Sequence, residues 1–226
     1  VTPTAAAPAS ERLAIDVFSD VVCPWCLIGV RRLEQALAER PDVQAEVTFH
    51  PFLLDPNAPA GGADLREHLR KKYGGDPERM FSRVEAAARE AGIALDFSKI
   101  RRFAPTTPAH VLIEAAAASG RQHEMKRAML SAYFLEGLDI ADPEVLVGIA
   151  REHGLEEDQA RAALADPAAA ARVRATAAEA SEQGVSGVPF FVFGGRLAFS
   201  GAQPLPVFLQ VIDRARAESR AQAKLG

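Results

Sequence analysis

Strand-like patterning is confined to the two ends of this 226-residue chain and the long middle is helical, so the ends must meet to complete one sheet. At the front, Leu13–Ser19 (LAIDVFS) is β-prone and close to alternating, which predicts a first strand. It runs directly into Cys23-Pro24-Trp25-Cys26. Pro24 is pre-organised for the first position of a helix that Ile28, Leu33 and Leu37 continue as far as Arg40-Pro41. Val43–Leu54 (VQAEVTFHPFLL) predicts a second strand, ended by Asp55-Pro56-Asn57-Ala58-Pro59 and Gly61-Gly62. The unit is strand, helix, strand, with the cysteine pair at the strand-to-helix turn.

Residues 63–183 are rich in alanine, glutamate and arginine at helical spacing, and the best strand candidate among them, Ile93–Phe97, is short. Asp76-Pro77, Thr107-Pro108, Asp142-Pro143 and Asp166-Pro167 each place a capping oxygen before a proline and predict helix starts. Gly74, Gly92, Gly120, Gly154 and Gly184 stand where left-handed caps would end those helices. Beyond them Pro189–Phe193, the turn Gly194-Gly195 and Arg196–Ser200 predict a hairpin. A last helix begins at Pro204, carries Leu205, Phe208, Leu209, Ile212 and Ala215 on one face, and fades from Ala217. The expected class is α/β with a large all-helical insertion. A disordered leader is expected over 1–12, a discontinuous sheet domain over 13–62 and 184–219, the insertion over 63–183, and a tail over 220–226.

Charge and composition narrow the partners. With 26 basic against 30 acidic residues, a net charge of -4 and no basic run interleaved with aromatics, nucleic acid is not an expected partner. Apolar runs such as Val188–Phe193 and Ala115–Ala118 fall far below the roughly 20 residues that span a bilayer, so no membrane partner is expected. The opening VTPTAAAPASER has neither the basic nor the apolar region of a secretory signal. No feature implies an oligomeric state. Two cysteines are too few to staple a fold, and the five histidines have no ligand spacing around them, so no metal is expected.

The cysteines therefore point to chemistry. A sulfur at a helix start meets unpaired backbone N–H groups and the positive end of the helix dipole, which favour thiolate over thiol. Cys23 is the expected nucleophile and Cys26, one turn inside, the resolving thiol. Gly187-Val188-Pro189 puts a proline at the mouth of a central strand, where it cannot join the ladder. A cis Val188-Pro189 bond would present the Val188 N–H and C=O to an extended peptide beside Cys23; an ordinary trans proline at a loop end is the other reading. Asp20, three residues before Cys23, reads either as a group tuning the thiolate or as a solvated turn aspartate.

Together, the strand, Cys-Pro-Trp-Cys, helical insert, Val-Pro and hairpin resemble the DsbA-like thioredoxin-fold proteins of the FrnE branch. The resemblance includes Ser19-Asp20, Gly29, the stretch FHPFLLDPNAP from Phe49 to Pro59, Gly187-Val188-Pro189-Phe190-Phe191 and Ser200-Gly201-Ala202-Gln203. It implies a thioredoxin fold, a cis Pro189, dithiol–disulfide exchange on protein thiols or disulfides, and for many members a cytoplasmic location. It also implies no resident cofactor, with glutathione a candidate co-substrate. The family often reads Asn-Thr-x-x-Ala-His before an insert helix; here Pro105-Thr106-Thr107-Pro108-Ala109-His110 has proline in place of asparagine, while His110 matches and reads either as a substrate-side residue or as an ordinary surface or core histidine. Two rival functions share the scaffold. Glutathione-dependent isomerases and transferases, such as 2-hydroxychromene-2-carboxylate isomerases and kappa-class glutathione transferases, typically carry serine at the nucleophile position. A chaperone-like binder would use the groove between insert and sheet and would not need the cysteines.

Overall fold

The computed structural model describes residues 12–223. The sheet has four strands in the order β2, β1, β5, β6, with β1 Leu13–Ser19, β2 Ala45–Pro51, β5 Phe190–Phe193 and β6 Leu197–Ser200. β1 runs parallel to β2, with Ile15 opposite Val47, and antiparallel to β5, with Val17 opposite Phe191; β6 closes the hairpin on β5. Alternate β1 residues Leu13, Ile15 and Val17 are buried, as the period of two requires. They share one core with Ile28, Val30 and Leu33 of α1 (Pro24–Ala38), and with Phe208 and Ile212 of α9 (Leu205–Ala223). Phe208 meets the Phe191 ring edge-on with centroids 5.0 Å apart.

The second strand is shorter than Val43–Leu54 predicts. After Pro51 the backbone leaves the ladder: the Phe52 N–H still donates to the Ser19 carbonyl at 3.2 Å, but that of Leu54 goes to the Asp20 carboxylate at 2.8 Å. A side chain of β1's own exit turn thus takes the donor that a longer strand would have used.

Between β2 and β5 lie α2 (Leu65–Tyr73), α3 (Pro77–Glu90), α4 (Thr107–Ala115), α5 (Gln122–Ser131), α6 (Pro143–Glu152), α7 (Glu157–Ala165) and α8 (Pro167–Glu182). Asp76, Asp142 and Asp166 cap as expected, accepting from the N–H groups of Glu78, Glu144 and Ala168. Thr107 does not cap α4. The cap residue is Thr106, which makes no capping bond because its side chain is buried against Asp20.

The segment is also not all-helical. β3 (Ala63–Asp64) and β4 (Arg102–Phe103) pair antiparallel, and the Leu65 N–H extends the match to the Arg101 carbonyl at 2.9 Å. Gly62 permits this approach: its φ is +72° and a Cβ there would lie 2.6 Å from the Phe103 carbonyl oxygen. Ile93–Phe97 forms no strand. Ile93 donates to Ala88 and finishes α3, and Phe97 begins a 3-10 turn, so the alternating burial of Ile93, Leu95 and Phe97 reflects packing without a ladder.

At the chain ends, α9 continues to Ala223 and overruns the tail expected from 220, because polar helix formers extend it past its apolar face. Of the leader expected over 1–12, residues 1–11 lie outside the described residues, and Arg12 is exposed.

The helical block is keyed to the sheet edge. The Gln122 amide accepts from the Phe49 N–H at 2.9 Å and donates to the Phe49 carbonyl at 3.0 Å, mimicking a further strand at β2. This brings the N-terminal half of α5 behind the turn that carries the cysteines.

Candidate active site

Cys23 is the N-cap of α1, in extended conformation, and Pro24 opens the helix. The two thiols are free, 3.4 Å apart and buried, with Cys23 4% exposed and Cys26 fully enclosed. Burial, reinforced by the neighbouring Cys23, pushes the Cys26 thiol well above the ordinary thiol range, while the Lys126 charge opposes this. Pro24 and Trp25 are half-buried beside the pair.

The Val188-Pro189 bond is cis, and the Cys23 thiol donates to the Val188 carbonyl at 3.5 Å. Gly29 makes this closeness possible: a Cβ there would stand 2.8 Å from Pro189 Cγ and 3.1 Å from the Phe191 ring. Gly187 and Val188 are half-buried at the same mouth. On the other side of α1, Arg32 donates to the carbonyls of Ala202 (2.6 Å) and Gln203 (3.2 Å), fastening the segment after β6.

Asp20 is not a solvated turn residue: it is fully buried behind the cysteines. Its carboxylate accepts from the N–H groups of Val21 at 2.7 Å and Leu54 at 2.8 Å, and faces His110 Nε2 at 3.3 Å. Burial raises its pKa, but His110, the Leu54 N–H and Thr106 together outweigh this and hold the carboxyl below its usual range. His110, on α4, does not line the substrate mouth. Burial drives its imidazole below the ordinary range in spite of the Asp20 bond, and the Lys126 charge adds to that push. Two acceptors face this ring, the Asp20 carboxylate at Nε2 and the Phe52 backbone.

Sequence reading missed Lys126. This α5 lysine is entirely buried, and its Nζ donates to the Ser19 carbonyl at 3.5 Å. Burial lowers its pKa, while the nearby Cys26, Asp20 and Cys23 push it back up. A buried ammonium is expensive unless anions surround it, so Lys126, Asp20 and the dithiol form one charge system. Beside them the Ser19 hydroxyl is buried without a partner among the described residues. The only signal for Lys126 in the sequence is a lysine within the run Met125–Leu130 on the buried side of an amphipathic helix.

A separate cleft of about 890 Å³ opens between α1 and the helical block, lined by residues including Leu27, Val30, Arg31, Arg127 and Glu152; neither cysteine nor Val188 borders it. Among the described residues, no group of three or more His, Cys, Asp or Glu side chains could hold a metal. Among the described residues, no helix is long and apolar enough to cross a membrane.

The site can therefore exchange thiols: one sulfur at a helix start beside the half-buried Val188 backbone, and a second enclosed within reach of it. Comparison with known proteins agrees. The chain is 27% identical over 200 residues to the uncharacterized protein YwbO of Bacillus subtilis, covering 88% of this chain and 95% of that protein. It superposes with a TM-score of 0.83 and 35% identity on the probable DsbA oxidoreductase SCO1869 of Streptomyces coelicolor, covering 92% and 91% of the two chains. The fold is also that of the cytosolic disulfide reductase DsbM of Pseudomonas aeruginosa with GSH, at 20% identity and a TM-score of 0.62 over 93% and 99%. A family model described as the DSBA-like thioredoxin domain matches residues 14–213, and the chain belongs to that family of thiol oxidoreductases and isomerases.

Proposed function

We propose that this protein exchanges disulfides with thiol- or disulfide-bearing polypeptides through Cys23 and Cys26. The observation that carries the reading is the position of Cys23: an N-cap sulfur 3.5 Å from the Val188 carbonyl, with a second thiol 3.4 Å away. In the reducing direction the Cys23 thiolate attacks one sulfur of a client disulfide. A Cys23–client disulfide forms, and the client's other sulfur leaves as a thiolate. Cys26 then loses its proton and attacks the Cys23 sulfur, which breaks the mixed disulfide and releases the second client thiolate. Two electrons have passed from the dithiol to the client, and the protein holds a Cys23–Cys26 disulfide. Run backwards, the same steps oxidise a client dithiol.

Enclosure makes deprotonation of Cys26 the demanding step, and Lys126 supplies the positive charge that favours it. Asp20, held by two backbone N–H groups and facing His110, adds a negative charge that favours the Lys126 ammonium. The Val188 backbone offers strand-like pairing to the client chain next to its sulfur. Thiol turnover needs an outside reductant, and glutathione is the proposed co-substrate; the DsbM neighbour's description, a cytosolic reductase with GSH, supports that choice and a cytoplasmic setting. No resident cofactor takes part in these steps.

The test is insulin reduction with a glutathione recycling system. The protein should catalyse it, and Cys23→Ser should fall to the uncatalysed rate. Retained activity in Cys23→Ser would remove the proposed nucleophile.

A further inference from the structure

α1 and α6 each turn a two-turn stripe toward the cleft that stands apart from the cysteines: Leu27, Val30 and Glu34 on the first, Val145, Ile149 and Glu152 on the second. The spacing is that of one helix face, and each stripe runs for about 10 Å at 1.5 Å per residue. With their other faces α1 packs on α3 and α9, and α6 on α4, α5 and α7. Buried Leu130, half-buried Leu135 and the 38%-exposed Leu138 add apolar surface to the same cleft. Gly148 interrupts the α6 stripe, although glycine inside a helix costs stability relative to alanine. The chain's own packing does not call for it: a Cβ there would meet nothing within 4 Å. His153, at the end of α6, has its Nδ1 buried with no hydrogen-bond partner among the described residues, 3.6 Å from Glu124 Oε1. Both of these residues border the cleft. Its charged lining sets four carboxylates, Glu34, Glu124, Glu136 and Glu152, against two guanidiniums, Arg31 and Arg127, and Arg127 is already paired with Glu34 at 3.2 Å.

We propose that this cleft receives an amphipathic helix of a partner polypeptide, with apolar side chains on one face and lysine or arginine on its flanks. A third helix laid between α1 and α6 sets its ridges against both stripes and takes their apolar side chains out of water. Gly148, which the chain itself leaves in open space, lets that helix come close to α6. A cation on its flank meets the carboxylate excess at Glu124 and Glu152 and can enter the gap between Glu124 and His153. Charge also decides against a second copy as occupant. An isologous pair would set these carboxylates against one another, in a chain whose net charge is already -4. The inference stands apart from the exchange reaction, since neither cysteine borders the cleft.

The probe is a fluorescein-labelled synthetic peptide of about 14 residues, long enough to form a helix, with leucines at i, i+3, i+4 and i+7 and lysines on the flanks. One control peptide scrambles the same residues, and a second replaces the lysines by glutamates. Anisotropy titration with the full-length protein should show saturable binding of the lysine helix, at least about tenfold tighter than either control. Gly148→Leu should melt no lower than wild type, because leucine is the better helix former, yet weaken this binding by about tenfold. Glu124→Lys combined with Glu152→Lys makes the excess charge of the lining positive and should turn the preference toward the glutamate peptide. No binding of the lysine helix, equal binding of all three peptides, or an affinity that Gly148→Leu leaves unchanged overturns the inference. So does a dimer in sedimentation that Gly148→Leu dissociates, which would give the cleft to a second copy.

Discussion

Replacing Asp20 by asparagine probes the charge system behind the dithiol. The two carboxylate oxygens accept from Val21 N–H and Leu54 N–H and face His110 Nε2. Asparagine offers one oxygen and an amino group, so one buried backbone N–H must then face another donor. That costs about 1–3 kcal/mol. For a chain of this size the thermal midpoint should fall by roughly 2–12 °C, at about 2–4 °C per kcal/mol. The pH dependence has a defined sign. A carboxyl held below its unfolded value of about 3.9 contributes stability that is complete above that pH and disappears as pH falls through its folded value. The gap between wild type and Asp20→Asn should be flat from about pH 5 to 8 and shrink below about pH 4. Chemical denaturation across that range measures it. A gap under about 1 kcal/mol at pH 7, or one that widens on acidification, would refute the reasoning.

Three further outcomes follow from the same geometry. Because burial and Cys23 hold the Cys26 thiol protonated, brief alkylation of the reduced native protein at pH 7 should label Cys23 first, and equal labelling by mass spectrometry would contradict the assignment of roles. Lys126→Met should slow the release of a Cys23–glutathione disulfide, with the defect shrinking as pH rises and Cys26 ionises without help; a defect that does not vary with pH would mean that the lysine acts only in packing. Gly29→Ala should cost about 1–3 kcal/mol and slow exchange together, since its Cβ would meet Pro189 Cγ at 2.8 Å, and a variant as stable and active as wild type would show that the Pro189 segment has room to move.

What the sequence reveals here follows the range of the forces involved. β1 and the hairpin were legible because alternation and the Gly194-Gly195 turn are local signals, and the Asp-Pro starts of α3, α6 and α8 because a cap acts within three residues. β3 and β4 are two residues each and have no period to detect; their pairing depends on Gly62 meeting Phe103, which lies 41 positions away in sequence. The same holds in the site. Cys23 and Cys26 announce themselves by spacing, and Pro189 by its misfit to a strand. The fate of Asp20 depends on contacts from 34 and 90 residues away, through Leu54 and His110, so its burial could not be read from its neighbours. Lys126 reads as one more charge beside Glu124 and Arg127 until α5 is docked on β2 by Gln122.

The central claim is that Cys23 makes the covalent bond to the client and Cys26 breaks it. Incubating Cys26→Ser and Cys23→Ser separately with a disulfide-bonded peptide, quenching with acid and weighing the intact proteins tests this directly. Cys26→Ser should carry one peptide through a bond that dithiothreitol removes and peptide mapping assigns to Cys23, while Cys23→Ser stays unmodified. Peptide attached to Cys26 in Cys23→Ser, at a yield equal to that on Cys23, would contradict the account.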